Sequence, residues 1–293
     1  MIGYYRNKIG NIFTALILSY ALVACGGGSG GPDNSSNPGN QTKSGRFIDS
    51  AVIGLTYESV GQSGSTDGQG AFLYEVGDII DFYIGDILIG QAEGKQILTP
   101  VEFVEGAIDE TDSTVTNICR FLLTLDDDND PSNGIYIPDT IKTAASGMSV
   151  NFNQSINDFS NDSNIQSEIA NLTALTSFGQ RELVSSQIAQ SHFRGTLLGQ
   201  IAGTYSGTFT GDSSGTWTFV VDTNGNLTGS GYEPGWGKIE GWGTVQSSGS
   251  TNTVVGSDTD GCDFTGHFSL DGNVSGTWYC PYWGESGTWA GRK

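Results

Sequence analysis

Basic residues are scarce in this chain. Its 293 residues hold 12 Lys and Arg against 32 Asp and Glu, a formal net charge of −20. A surface this acidic repels nucleic-acid phosphates, so no nucleic acid is expected as a partner. Histidine occurs only at 192 and 267, and neither residue sits in a Gly-x-Ser-x-Gly or His-Glu-x-x-His setting. A phosphate loop, a dinucleotide fingerprint, a CxxC pair and a zinc spacing are also absent from the sequence. The expected class is therefore non-enzymatic. Prolines number 7 against 44 glycines, and aromatics make up 11%. That mixture excludes a disordered acidic tail and fits short strands joined by tight turns.

No apolar run is long enough to cross a membrane as a helix. The longest, Ile12 to Ala24, has about 13 residues, whereas a hydrocarbon core ~30 Å thick needs about 20. It follows Arg6 and Lys8 with no acidic residue before it, so residues 1–24 read as a signal peptide. The run ends Leu22-Val23-Ala24-Cys25, which resembles the bacterial lipobox. That resemblance implies a diacylglycerol on the Cys25 thiol and further acyl chains such as palmitate. Gly26, where Asp would signal retention, implies export to the outer membrane. Two or three buried chains at ~0.8 kcal/mol per CH₂ make such attachment effectively permanent. Residues 25–44 are rich in Gly, Ser and Asn and read as a lipidated flexible tether. Its r.m.s. reach is about 24 Å.

Beyond the tether the expected fold is mainly β with a helical insert. Residues 45–105 alternate β-type runs (51–57, 70–75, 79–84, 87–89, 96–98) with Asp67-Gly68, Gly77-Asp78 and Gly85-Asp86 punctuation, as a small antiparallel β sandwich would. The order of strand, polar loop 66–72 and further strand resembles transthyretin-like, carboxypeptidase-regulatory-like modules over some 50 residues.

Residues 106–200 are expected to be helical. Val115, Ile118, Cys119, Leu122 and Leu125 share one helical face, which makes Cys119 a buried, inert thiol. A second helix is marked by Ile165, Ile169, Leu172 and Leu175, and a third by 180–193 with Leu183, Val184 and Ile188 inward; 151–164 reads as a surface loop. After the first helix comes the acidic stretch 126–134. Asp126, Asp128 and Asp130 have the alternate spacing with which a tight loop turns three carboxylates to one point, and they are candidates for structural calcium. Pro131 stands where a calcium loop has glycine and Ile137 where it has glutamate, so a solvated acidic helix end is the alternative. Such an end opposes the helix dipole unless a cation attends it.

Residues 201–293 hold 20 of the glycines and all six tryptophans. Gly-Thr-Trp and Gly-Thr-Tyr/Phe recur, and the period of two puts Tyr205, Gly207 and Phe209, or Val274, Gly276 and Trp278, on one face with Thr and Ser on the other. Turn signals at 211–212, 224–225, 234–235, 248–249, 260–261, 271–272 and 281 divide the region into about eight strands, the number of a small up-and-down barrel. The Gly-Thr-Trp strand, Asn-Gly turn and Leu-Thr-Gly of 215–232 resemble avidin-like and lipocalin-like barrels, which implies architecture only. Cys262 and Cys280 flank a hairpin expected to turn at Asp271-Gly272. If Leu270 faces Asn273 they miss opposition by one residue, and a single bulge would make them a disulfide. Two free thiols are the alternative. Trp236, Trp242 and Trp283 lie near Gly/Pro-rich ends and could form a ligand platform for sugar rings, or else cap the barrel.

The whole layout resembles cell-surface lipoproteins of Gram-negative bacteria. It leads to the expectation of an outer-membrane-anchored lipoprotein that presents a binding or adhesive β domain, its partners the membrane and a surface ligand or carbohydrate. The alternative is capture of a small apolar or carbohydrate ligand inside the barrel. An aromatic-filled interior favours the first, and a cavity with converging polar groups the second.

Overall fold

The computed structural model describes residues 41–256 and 261–293. The expected signal peptide 1–24, the lipidation site Cys25 and the tether as far as residue 40 lie outside the described residues, as does Asp260 of one expected turn. The N-terminal module has eight strands: β1 (Thr42–Phe47), β2 (Val52–Ile53), β3 (Thr56–Glu58), β4 (Ser63–Ser65), β5 (Ala71–Glu75), β6 (Ile79–Ile84), β7 (Ile87–Glu93) and β8 (Ile97–Leu98). β1 corrects the expected end of the tether at 44. Thr42, Lys43 and Ser44 are exposed, yet their backbones pair with Glu75, Tyr74 and Leu73, and ladder hydrogen bonds do not require apolar side chains.

Two sheets, β5-β1-β8 and β4-β3-β6-β7, face each other. Phe47 and Phe72 from the first meet Phe82 from the second at ring separations of 5.1 and 5.2 Å, all three fully buried. The sandwich is not purely antiparallel as expected, because β1 and β8 run parallel. The expected strand 51–57 is split. Gly54 adopts φ +88, and a Cβ there would stand 2.4 Å from the Ile137 carbonyl oxygen, so the chain bends away between β2 and β3.

The helical region follows. α1 (Ser113–Leu125) is capped by Asp112, its carboxylate accepting from the Thr114 and Val115 amides. Every residue from Val115 to Leu125 is buried, the polar ones with partners: Asn117 donates to the Phe152 and Gln154 carbonyls, and Arg120 donates to the Val184 carbonyl and the Ser160 hydroxyl. β9 (Ile135–Tyr136) pairs in parallel with β2, joining the acidic stretch to the sandwich.

Helices α2 (Asp139–Ala144), α3 (Ile156–Asn161), α4 (Ser163–Thr173) and α5 (Ser186–Ile201) complete the region. The expected surface loop 151–164 therefore contains α3, whose Phe159 is fully buried. The expected third helix is displaced toward the C-terminus. Ser185 caps α5 through the Ile188 amide, the buried face is Ala189, Phe193, Leu197, Leu198 and Ile201, and Ile188 is exposed. Leu175, expected inward on the second helix, lies beyond α4 and is exposed.

α5 runs directly into a closed barrel of eight antiparallel strands in sequence order: β10 (Gly203–Gly211), β11 (Gly215–Val221), β12 (Asn226–Glu233), β13 (Gly237–Val245), β14 (Ser250–Val255), β15 (Cys262–Phe268), β16 (Asn273–Cys280) and β17 (Glu285–Arg292). This is the expected up-and-down meander. Its lower end lies by α5, where the Tyr205 hydroxyl donates to the Ile201 carbonyl at 2.6 Å. Three lower turns share one form: Gly225, Gly249 and Gly272, at φ +82, +82 and +86, donate to the carbonyls of Asp222, Gln246 and Ser269. These are three-residue loops closed by a left-handed glycine. The one at 269–273 supplies the required bulge, for Phe268 pairs with Val274 rather than Leu270 with Asn273. Cys262 and Cys280 then stand opposite each other at disulfide distance, Cα to Cα 4.1 Å.

Candidate functional site

Inside the barrel, tryptophans occupy the space that glycines leave. A Cβ on Gly276 would lie 2.6 Å from the Trp289 ring nitrogen, one on Gly291 2.5 Å from the Trp217 ring and one on Gly287 2.5 Å from Trp278. Each indole N–H is satisfied: Trp217 donates to the Thr208 carbonyl, Trp278 to Thr210, and Trp289 to Thr265 and Thr277. Edge-to-face contacts of Tyr205 with Phe268 (4.8 Å) and Trp217 with Trp289 (5.6 Å) add to a solid aromatic plug.

The plug stops short of the upper end. Gly231, on the inner face between Trp217 and Ile239, has no aromatic over it, and a Cβ there would meet only the Thr216 carbonyl oxygen, at 3.7 Å. A cavity of about 250 Å³ opens at that level. Phe209, Trp217, Phe219, Ile239, Val255, Phe264, Trp278 and the Cys262–Cys280 pair wall it, while Tyr232, Trp236 and Trp283 stand at its rim. Its polar groups are Ser213, Glu233 and Glu285. The Ser213 hydroxyl is buried with no hydrogen-bond partner.

Of the three tryptophans singled out in the sequence, the structure brings two together. Trp236 and Trp283 meet at 5.4 Å with planes 57° apart, and Tyr282 packs edge-on against Trp283. All three are more than half exposed. Trp242 is different: it lies in mid-β13 facing outward, paired with Thr228 and Val254, and takes no part in the mouth. Ser213, Glu233 and Glu285 were missed. Glu233 was within reach, lying two residues beyond inward-facing Gly231; Ser213 belongs to a turn, where periodicity says nothing.

The acidic stretch finds its cation within the chain. Arg181 donates from Nε to the Thr124 carbonyl at 2.7 Å and from Nη2 to the Asp126 carbonyl, across the end of α1. The carboxylates are engaged locally: Asp126 Oδ1 accepts from the Tyr136 amide, Asp128 from the Asp130 amide and Asn133 Nδ2, and Asp130 from the Ser132 amide and hydroxyl. Asp126 Oδ2 is buried without a partner, and burial pushes this carboxyl above the usual range. Among the described residues no group of three or more His, Cys, Asp or Glu is arranged to hold a metal ion.

A second polar cluster was not foreseen. Asp49 is fully buried in the turn that follows β1, its pKa pushed up to about 8 by desolvation. Cys119 of α1 lies beside it, its thiol pushed up by burial and then by the Asp49 charge. His192 Nε2 stands 3.5 Å from Asp49 Oδ1, 3.3 Å from the Asp49 carbonyl oxygen and 3.2 Å from the Ser50 hydroxyl. Burial holds His192 below its ordinary value, so the contact joins a neutral imidazole to a neutral carboxyl rather than an ion pair. Serine and carboxyl share one ring nitrogen, whereas a nucleophilic triad needs one on each. His267 lies on the outer, exposed face of β15.

No protein-family model matches the chain, and no curated protein or solved structure is significantly similar to it.

Proposed function

We propose that this chain is a non-enzymatic lipoprotein, anchored to the outer membrane through acyl chains on Cys25, whose C-terminal barrel binds a small ligand in its aromatic upper mouth. One observation carries the reading: the barrel, plugged by aromatics below, keeps a cavity of about 250 Å³ above, beside the inner glycine Gly231, over which no ring lies. Apolar walls with a few polar groups at the opening are the usual make-up of a small-molecule site. The rim supports a compact ligand over a flat polymer, because Trp236 and Trp283 are 57° apart and form a wedge rather than a platform. Calcium at Asp126, Asp128 and Asp130 forms no part of the reading, since Arg181 already attends the helix end and the loop engages most of its own carboxylate oxygens.

Titration with benzyl alcohol, followed by tryptophan fluorescence, tests the mouth. The full-length chain should show a saturable change, and Gly231→Val should abolish it while keeping the parent's melting temperature, because a Cβ at 231 meets no close atom. An unsaturable response, or one unchanged in Gly231→Val, removes the reading. For the anchor, Cys25→Ser should move the protein out of the detergent phase; continued partitioning with membranes would place the attachment elsewhere.

A further inference from the structure

Resting on the reading of the mouth as a ligand site, we infer that its ligand carries an alkylated ammonium group, held against the aromatic walls between the carboxylates of Glu233 and Glu285. Among the described residues that line the cavity there is no Lys, Arg or His, while there are two acidic residues. They come from opposite sides of the opening, Glu233 ending β12 and Glu285 beginning β17, with β10 and β11 between them in the closed sheet. Two carboxylates facing one low-polarity mouth raise the local negative potential, and the chain's charge of −20 deepens it. An anionic ligand is therefore disfavoured and a cation drawn in.

The walls select the kind of cation. Phe209, Phe264, Trp278 and Trp283 offer π faces and no acceptor oxygen, so a metal ion would find only the two carboxylates and the Ser213 hydroxyl, short of the oxygen shell a hard cation takes. A primary ammonium could pair with the rim carboxylates, but it is strongly hydrated and offers no apolar surface to the ring walls, so entering them costs it most. An ammonium whose hydrogens are replaced by methyl groups has no N–H donors, buries apolar surface and is attracted to ring faces. The Ser213 hydroxyl, buried and unpartnered, adds a requirement for one oxygen on the ligand within its reach. A small amino alcohol or ester bearing a trimethylammonium head meets all three conditions.

The test compares choline with 3,3-dimethylbutan-1-ol, which has the same shape and no charge, on the full-length chain at matched ionic strength by titration calorimetry. Choline should bind about tenfold more tightly or better, as expected for a desolvated cation among aromatic rings and carboxylates. Replacing both Glu233→Gln and Glu285→Gln should lower choline affinity about tenfold and leave the neutral alcohol unaffected. Retained benzyl alcohol binding by the double variant shows that it is folded. Equal or tighter binding of the neutral alcohol overturns the inference. So does benzyl alcohol binding without choline binding, an outcome that leaves the mouth itself a ligand site; failure of benzyl alcohol as well removes both readings.

Discussion

The indole of Trp289 stands against Gly276, so close that a single methyl group on the glycine would lie 2.6 Å from the ring nitrogen and 2.0 Å from the Thr265 carbonyl oxygen. Neither neighbour can retreat, one being backbone and the other held by two hydrogen bonds. Gly276→Ala should cost about 3 kcal/mol, the scale of a severe overpacking change. Gly231→Ala, with nothing nearer than 3.7 Å, should cost much less. Denaturant melts of the two variants provide the comparison, and equal losses would show that the glycines serve backbone bending alone.

This pairing explains how much of the barrel could be read from the sequence. Glycine alternates with large residues on one face of β10, β15, β16 and β17, so an up-and-down barrel of about eight strands was visible in runs such as Tyr205, Gly207, Phe209 and Val274, Gly276, Trp278, while its interior, filled or hollow, stayed open. The cavity was not visible, because Gly231 looks like any other inner glycine; it has open space where Gly207, Gly266, Gly276, Gly287 and Gly291 have an indole ring. The same limit applies to the helical region. The α1 stripe was legible, but Arg181, Asp49 and His192 take their roles from partners more than 50 residues away in sequence. Where a side chain's meaning is long-range, spacing along the chain carries little of it.

Arg181 bridges two carbonyls at the end of α1, a charge-assisted arrangement worth about 3 kcal/mol with its favourable dipole interaction. Arg181→Met should lower stability by roughly that amount, and Arg181→Lys should recover little, since an ammonium cannot reproduce the planar fork. With the cation supplied internally, millimolar calcium should leave the parent's melting temperature unmoved. A rise that disappears in Asp128→Ala would instead establish a calcium loop.

Cys262 and Cys280 face each other because the turn at Gly272 contains one more residue than a two-residue hairpin. Their separation of 18 residues sets the entropy lost by the unfolded chain, on the order of 3 kcal/mol. Replacing both by Ser should lower stability by about that much. Deleting Leu270 to shorten the turn should leave the two thiols free in otherwise oxidised protein, as read by mass spectrometry. Persistence of the bond in the deletion variant would mean that register is set elsewhere in the sheet.

Asp49 gives the fold a pH dependence whose sign can be worked out. Its carboxyl titrates near 3.8 when unfolded and at about 8 when buried, so the folded state holds the proton more tightly. The resulting stabilisation is complete at acid pH, declines as pH rises above about 4 and is lost once pH passes about 8. His192 acts in the opposite sense: burial lowers its value, so it weakens the fold as pH falls through its titration. Groups facing Asp49 from α1 and α5, Cys119 and His192, are both neutral near pH 7, and Glu110 is the further charge felt at Cys119. Asp49→Asn keeps the shape and removes the proton. Denaturant unfolding between pH 5 and 9 should therefore show the parent losing several kcal/mol across the range and Asp49→Asn losing much less, with the variant the more stable at pH 9. Parallel profiles for the two proteins would mean that the Asp49 carboxyl ionises in place, compensated by a proton on His192.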